Sequence, residues 1–220
     1  MDFFQALEGR SSIRAFLSKP VEKTLLTKIL QAAKHSPSYM NTQPWEIFVV
    51  TGKKKDDLCV ALSQAAANDE TKRPDFPLPA SLPAALEKRA ATHRQNRFAA
   101  LGVDTADQKQ IRSGYLRNFD LFGAPCGVFV GLDGSLTSWS MFDLGLFVQG
   151  FLMALYAQGL GGCPQAMLTI YPDIIRKHLL IPESIKIALG ISLGYPDADS
   201  PLNSYRAQRK DLNEFVHWFD

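Results

Sequence analysis

Apolar residues recur at helical spacing in several stretches of the chain. Val21, Leu25, Leu26, Ile29 and Ala33, with Lys23, Thr27, Lys28 and Lys34 between them, predict a helix that begins near Pro20 and stops before Pro37. A shorter helix precedes it, capped by Asp2, with Phe3, Phe4 and Leu7 on one side; it runs into Arg10, Ser11, Ser12, Ile13 and Arg14. From Phe142 to Gln158 a stripe of Leu144, Val148, Phe151, Leu152 and Leu155 predicts a central helix with Gly159 at its stop. Phe142, Leu146, Phe147 and Met153 lie beside that stripe, so this helix is apolar nearly all round and needs cover on every side. The second cover is most simply the same helix of a symmetry mate.

An aromatic and β-branched run bounded by Pro44 and Gly52 marks a strand at Trp45 to Val50, and similar runs mark strands at Cys126 to Gly131 and Ile185 to Gly194, all too apolar for a solvent-facing sheet. Ser36 to Pro44 must be a loop. Between residues 68 and 123 the composition changes: Pro74, Pro77, Pro79 and Pro83 break regularity, and Ala84 to Arg97 and Gln108 to Phe122 then have helical patterns with basic faces. This segment reads as a lobe inserted between two strands. Strands separated by helices give an α+β or α/β sandwich.

With 220 residues, 46% of them hydrophobic and 14 of them Phe, the chain can build one sizeable core, so residues 1–220 are expected to form one domain carrying the lobe. Lys plus Arg number 24 against 22 Asp plus Glu, which leaves no overall field to gather nucleic acid or anionic lipid; an anion site must be local. Three cysteines, Cys59, Cys126 and Cys163, are odd in number and far apart, without metal-ligand spacing, which fits a reducing cytoplasm. The start lacks a basic and apolar leader pattern, and no apolar stretch approaches the roughly 20 residues of a membrane span, so a soluble cytoplasmic protein is expected.

Four segments could carry chemistry. Arg10, Ser11, Ser12 and Arg14 offer two guanidiniums and two hydroxyls that can surround a phosphate, or they form a solvated basic turn. Arg206, Arg209 and Lys210 make a second basic group, or a helix edge snorkelling around the tail. The loop from Pro37 to Trp45, with Ser38, Tyr39, Met40, Asn41 and Gln43, can match the donors and acceptors of a heteroaromatic edge; ordinary turn chemistry explains Ser, Asn and Pro but makes no use of Gln43 or Trp45. Leu160, Gly161 and Gly162 let backbone N–H groups approach a ligand, or simply end a helix. There is no G-x-G-x-x-G, P-loop or G-x-S-x-G, and His35, His93, His178 and His217 have no metal or catalytic partners at suitable spacing. The difficult step therefore points to a cofactor. A nucleic-acid module built on Lys88, Arg89, Arg94, Arg97, Arg112 and Arg117 is disfavoured, because no aromatic platform sits among those charges.

Taken together and in order, Arg10-x-Ser12-x-Arg14-x-Phe16, the segment Pro37 to Trp45, Asp143-x-Gly145 with Gln149, the Gly-Leu-Gly stop and the basic tail make the chain resemble the FMN-dependent nitroreductase superfamily over essentially its whole length. Cys163 to Ala166 and the tail Arg206 to Trp218 are most similar to its nitrobenzoate-reductase-like branch. The resemblance implies a three-layer α+β sandwich, with a central, mainly antiparallel sheet flanked by helices, an inserted helical lobe and an extended C-terminal tail. It implies FMN, with NAD(P)H as donor and a nitroaromatic, quinone or related conjugated acceptor using one place in turn. Arg10, Ser12 and Arg209, with Arg206, would hold the phosphate; Ser11 and Arg14 would reach the ribityl chain and pyrimidine side, where the charge of Arg14 would stabilise the reduced flavin. Gln149 and the backbone of Leu160, Gly161 and Gly162 would line the ring. Pro37, Ser38, Tyr39, Met40 and Asn41 would come from the partner of a homodimer with FMN at its interface, covered in part by Leu212, Phe215, Val216, Trp218 and Phe219. The lobe's Phe76, Phe98, Phe119 and Phe122 are expected over the flavin face. The chain departs from many relatives in having Cys163, Pro164 and Gln165 where an acidic residue is usual, and in spacing Arg206 and Arg209 three apart. The alternative is a flavin enzyme of the same fold specialised for reductive dehalogenation or flavin fragmentation, or a flavin-binding protein without turnover.

Overall fold

A computed structural model of the chain describes residues 2–219. Four strands, β1 (Glu46–Thr51), β2 (Cys126–Asp133), β3 (Gly161–Gln165) and β4 (Ile185–Gly194), form one sheet in the order β1-β2-β4-β3 with every pair antiparallel. Alternate residues of β2 point to opposite faces. On one face Val128 and Val130, with Ile191 and Leu193 of β4, meet α2 (Lys23–Ala33) and α6 (Ser138–Ala157). On the other, Phe129 and Ile187 meet α3 (Gly52–Ala67) and α7 (Pro172–Leu179). Helices cover both faces, which is why β2 is buried from Cys126 to Leu132 and carries no polar side. The expected α+β sandwich is the observed one.

Three expectations are corrected. Gly161 to Gln165 form an edge strand rather than part of a helix stop, and Pro164 is tolerated there because an edge strand need not donate on its outer side. Gly162 has no room for a side chain, since a Cβ would lie 2.9 Å from Leu152. Phe147, expected on the outer side of the central helix, is buried in its own protomer and stacks on Trp45 with ring centroids 4.9 Å apart. Phe119, expected over a ligand, is fully buried against Tyr115 and Tyr171 in the core below the lobe. In addition, α6 is long and apolar enough to cross a membrane by length and composition; here it is the central helix, with Leu144, Phe147, Phe151, Leu152 and Leu155 buried against the sheet.

The lobe leaves after α3 and carries α4 (Ala84–Ala100) and α5 (Gln108–Leu116) before the chain returns to β2. Its entry is pinned by Asp75, which pairs with Arg176 of α7 and accepts the backbone N–H of Ile187 at 2.8 Å. The other end is held by Arg112, which donates to Asp69 and to the carbonyls of Ala66 and Ala67 at the end of α3. The first helix, α1 (Phe3–Gly9), is capped by Asp2 as expected and buries only Ala6, leaving Phe3, Phe4 and Leu7 exposed. Trp139 and Phe142 at the start of α6 and Leu212, Phe215, Trp218 and Phe219 in the tail are also exposed.

Candidate cofactor site

After α1, residues 10–17 run extended along the edge of the sheet. Ser12 bridges Gly162 in parallel, Ile13 donates to the Gly162 carbonyl at 3.2 Å, and Leu17 donates to Tyr195 at 2.9 Å. The opposite side of this segment is clamped by Asn203. Its amide oxygen accepts the N–H groups of Arg14 at 2.8 Å and Ala15 at 3.2 Å, while its amide nitrogen donates to the carbonyls of Ala15 and Asp197, each at 2.8 Å. Asn203 was not among the residues singled out from the sequence; it ends a Pro-Leu-Asn turn, and its partners Arg14 and Ala15 lie at the far end of the chain.

The segment forms one wall of a cleft of about 280 Å³, bordered by Arg10, Ser11, Leu152, Leu160, Gly161, Gly162, Asn203 and Arg206. The Arg10 guanidinium is held below its ordinary proton affinity by burial and by the charge of Arg209, which reaches it from the other end of the sequence. Arg206 and Arg209 meanwhile donate to backbone carbonyls of their own segment, Arg206 to Asn203 at 2.7 Å and Arg209 to Ala207 at 2.9 Å. The acid bordering this cleft, Asp197, accepts the N–H of Asp199.

A second concentration of charge surrounds Arg14. Burial raises the Cys163 thiol while Arg14, Arg97 and a hydrogen bond with Ser12 oppose the rise. Burial and Arg14 lower Arg97; burial, then Arg14, Arg97 and Arg209, lower His93. Arg97 of α4 borders the same cleft as Arg14, although its sequence context suggested only a basic outer face, while His93, four residues earlier on the same helix face, stays exposed. Arg117 completes the group by donating to the carbonyl of Arg14 at 3.2 Å. Arg14, Arg97, Phe98, Tyr115, Arg117 and Phe122 border a cleft of about 240 Å³.

The loop of residues 37–43 lies elsewhere. Ser38 accepts the N–H of Gln43 at 2.9 Å, Gln43 donates its side-chain amide to Asn41, and Tyr39 donates its N–H to the buried Asp143 carboxylate at 3.1 Å. Met40, Asn41 and Gln43 have φ of 48°, 57° and 48°, a left-handed backbone unusual outside glycine. Tyr39 and Met40 are 64% and 80% exposed, and Gln149 is exposed on α6. Among the described residues, those bordering the two clefts include neither Gln149 nor any residue from Pro37 to Gln43. One protomer therefore places Arg10, Ser11, Leu160, Gly161, Gly162 and Arg206 on one cleft and Arg14 on the other, with Ser12 paired to Gly162 and the charge of Arg209 acting on Arg10, and keeps Gln149 and Pro37 to Gln43 off both.

The nitroreductase family model matches residues 7–195, from α1 to the end of β4. The chain belongs to the nitroreductase family. It is 34% identical to a 4-nitrobenzoate reductase of Pseudomonas putida over 217 residues, covering 99% of this chain and 95% of that protein. It is also 34% identical to the nitroreductase NfnB of Mycolicibacterium smegmatis over 220 residues, covering 97% and 93%. The crystal structure of the FMN-dependent nitroreductase NfnB from Mycobacterium smegmatis in complex with NADPH superposes with a TM-score of 0.94, at 30% identity, over 99% of this chain and 97% of that one. These two relatives are matched along the tail as well, whereas the family model ends before Arg206 and Arg209.

Proposed function

We propose that this chain is an FMN-dependent oxidoreductase which takes reducing equivalents from NAD(P)H and delivers them to a nitroaromatic, quinone or related conjugated acceptor, working as a cytoplasmic homodimer with FMN at its interface. The carrying observation is that Arg10 and Arg206, from opposite ends of the sequence, border one cleft walled by the Gly161–Gly162 backbone, with Arg209 near enough for its charge to act on Arg10. Two guanidiniums on one cleft, a third close by, and neighbouring hydroxyls fit a phosphate dianion by charge and by donor count. Bound FMN supplies the hydride chemistry that no side chain of this protein offers.

In this reading Arg10, Ser12 and Arg209, helped by Arg206, hold the phosphate. Ser11 and Arg14 reach the ribityl chain and the pyrimidine side, with the backbone of Leu160, Gly161 and Gly162 along the ring. Arg14 brings a fixed cation, backed by Arg97, where charge accumulates on reduction. The loop Pro37, Ser38, Tyr39, Met40, Asn41 and Gln43 serves the partner's site, together with Gln149. This assignment is supported by the loop's exposure and by its anchoring to Asp143 on α6, the helix whose start leaves Trp139 and Phe142 uncovered. Donor and acceptor use one place in turn, which agrees with the lack of a separate dinucleotide fingerprint in the sequence.

The test is an absorbance spectrum of the purified protein followed by anaerobic titration with NADH and NADPH. A yellow protein bleached stoichiometrically by one of them is expected; a colourless protein that takes up no FMN would remove the reading.

A further inference from the structure

Between α4 and the C-terminal tail lies a third cleft, of about 340 Å³, with an unusual charge balance. Lys88 and Arg89 approach it from α4, Arg209 and Lys210 from the tail, and Glu214 is the one acid on its border. Glu214 is already engaged, accepting the N–H of Asp211 at 2.8 Å in a capping box. Among the described residues, Lys88, Arg89 and Lys210 take part in none of the ion pairs, all of which lie elsewhere. Cations gathered in this way repel one another, and an incoming anion relieves that cost.

The cleft also has an aromatic edge. Tyr205 and His93 lie with ring centroids 5.4 Å apart, and the Tyr205 hydroxyl and His93 Nδ1 are 3.2 Å apart, which fixes both rings. A flat heterocycle can stack on such a pair. The volume lies at the small end of ligand pockets, which run from about 300 to 1,000 Å³, and suits one nucleoside phosphate rather than a whole dinucleotide. Arg209 joins this cleft to the phosphate site, since its charge acts both on Arg10 on that side and on His93 on this one.

We propose that the cleft between α4 and the tail binds the adenosine end of NADPH, with Lys88 and Arg89 recognising its 2′-phosphate. The inference rests on the preceding reading only in taking a nicotinamide dinucleotide as electron donor. NADH offers two neutral hydroxyls where NADPH offers a dianion, so uncompensated cations discriminate in favour of the phosphorylated donor. The purine lies along Tyr205 and His93, and the rest of the dinucleotide extends past Arg209 toward Arg14.

The experiment uses the FMN-loaded protein and two probes, adenosine 2′,5′-bisphosphate and adenosine 5′-monophosphate, titrated calorimetrically into wild type and a Lys88→Ala/Arg89→Ala variant. Both side chains are exposed on the helix surface, so the variant keeps its fold, and flavin absorbance checks that its FMN content is unchanged. The bisphosphate should bind wild type at least about tenfold more tightly than the monophosphate, and the variant should lose that preference. In parallel, kcat/KM for NADPH should fall about tenfold to hundredfold in the variant, with NADH staying within about twofold. Equal affinity of wild type for the two probes, or equal losses for the two donors, overturns the proposal. Should neither dinucleotide reduce the protein, the proposed function fails, and the probe titration still decides the cleft: a preference lost in the variant supports it, and no preference refutes it.

Discussion

Asn203 and Arg14 are joined at 2.8 Å although 189 positions separate them, and the same side chain also fixes Ala15 and Asp197. The cofactor arm is thereby positioned by the tail, not by its neighbours in sequence. Replacing Asn203 by Ala removes four hydrogen bonds worth about 1 kcal/mol each, so a loss of about 2–4 kcal/mol is expected. Thermal denaturation should show it, and FMN affinity should fall with it. Asn203→Asp, which keeps the acceptor and loses the donors, should fall between the two. Wild-type stability in Asn203→Ala would mean that the arm is held by its edge pairing alone.

Arg209→Ala should weaken FMN binding about tenfold to hundredfold, the worth of charge-assisted bonds of roughly 1.5–3 kcal/mol to a phosphate. Fluorescence titration of apoprotein with FMN measures it. Affinity equal to wild type would move the phosphate to Arg206 or Lys210.

Arg14→Ala is expected to keep some FMN but to lower its reduction potential, on the order of tens of millivolts, because one cation beside the reduced ring is gone. Arg97 also acts on this region, so an Arg14→Ala/Arg97→Ala protein should shift further. A redox titration that finds the wild-type potential in both proteins would place these charges away from the flavin.

How much of this was open to sequence reading depends on where each residue's reason lies. α6 was legible because its apolar residues repeat at helical spacing, and β1, β2 and β4 because they are short apolar, β-branched runs bounded by turn residues. β3 was not: Gly161, Gly162 and Pro164 have poor strand propensity, and the segment is extended because β4 pairs with one edge and residues 12–13 lie along the other. The basic arm and tail were visible as charges, but their meeting is a tertiary fact. Arg97 was hidden for the opposite reason, since a charge on a polar helix looks like part of a solvated face until the lobe folds back over Arg14.

The dimer is testable at its uncovered aromatics. Trp139→Asp/Phe142→Asp should sediment near 24.4 kDa at micromolar concentration, where the wild type is expected at twice that mass, and should bind FMN poorly because the partner's loop is absent. A wild-type monomer of 24.4 kDa with full flavin and full activity would refute the interface site.

All three thiols are buried, and burial pushes Cys59 and Cys126 up to about 12 and raises Cys163 as well. At pH 8 Cys59 and Cys126 therefore offer essentially no thiolate, and burial shields all three from reagent. Ellman's reagent should therefore find almost none in the native protein and all three after denaturation; rapid reaction of one native thiol would contradict the burial of the β3 edge or of the core.

Thr51 and Cys126 are directly opposed in the sheet, so the chain departs from β1 and rejoins β2 at a single rung. Everything between them is, mechanically, a closed excursion whose two ends are already tied. The stretch next to the sheet, α3, is bound to the core by Leu58, Leu62 and Ala66, and beyond Asn68 the excursion is tied back by Asp75, Arg112 and the buried Phe119, with free length only between those ties. A change of length in the exposed run from Pro77 to Pro83, between the tie at Asp75 and the start of α4, would therefore be absorbed inside the excursion and leave the rung at Thr51 and Cys126 in register.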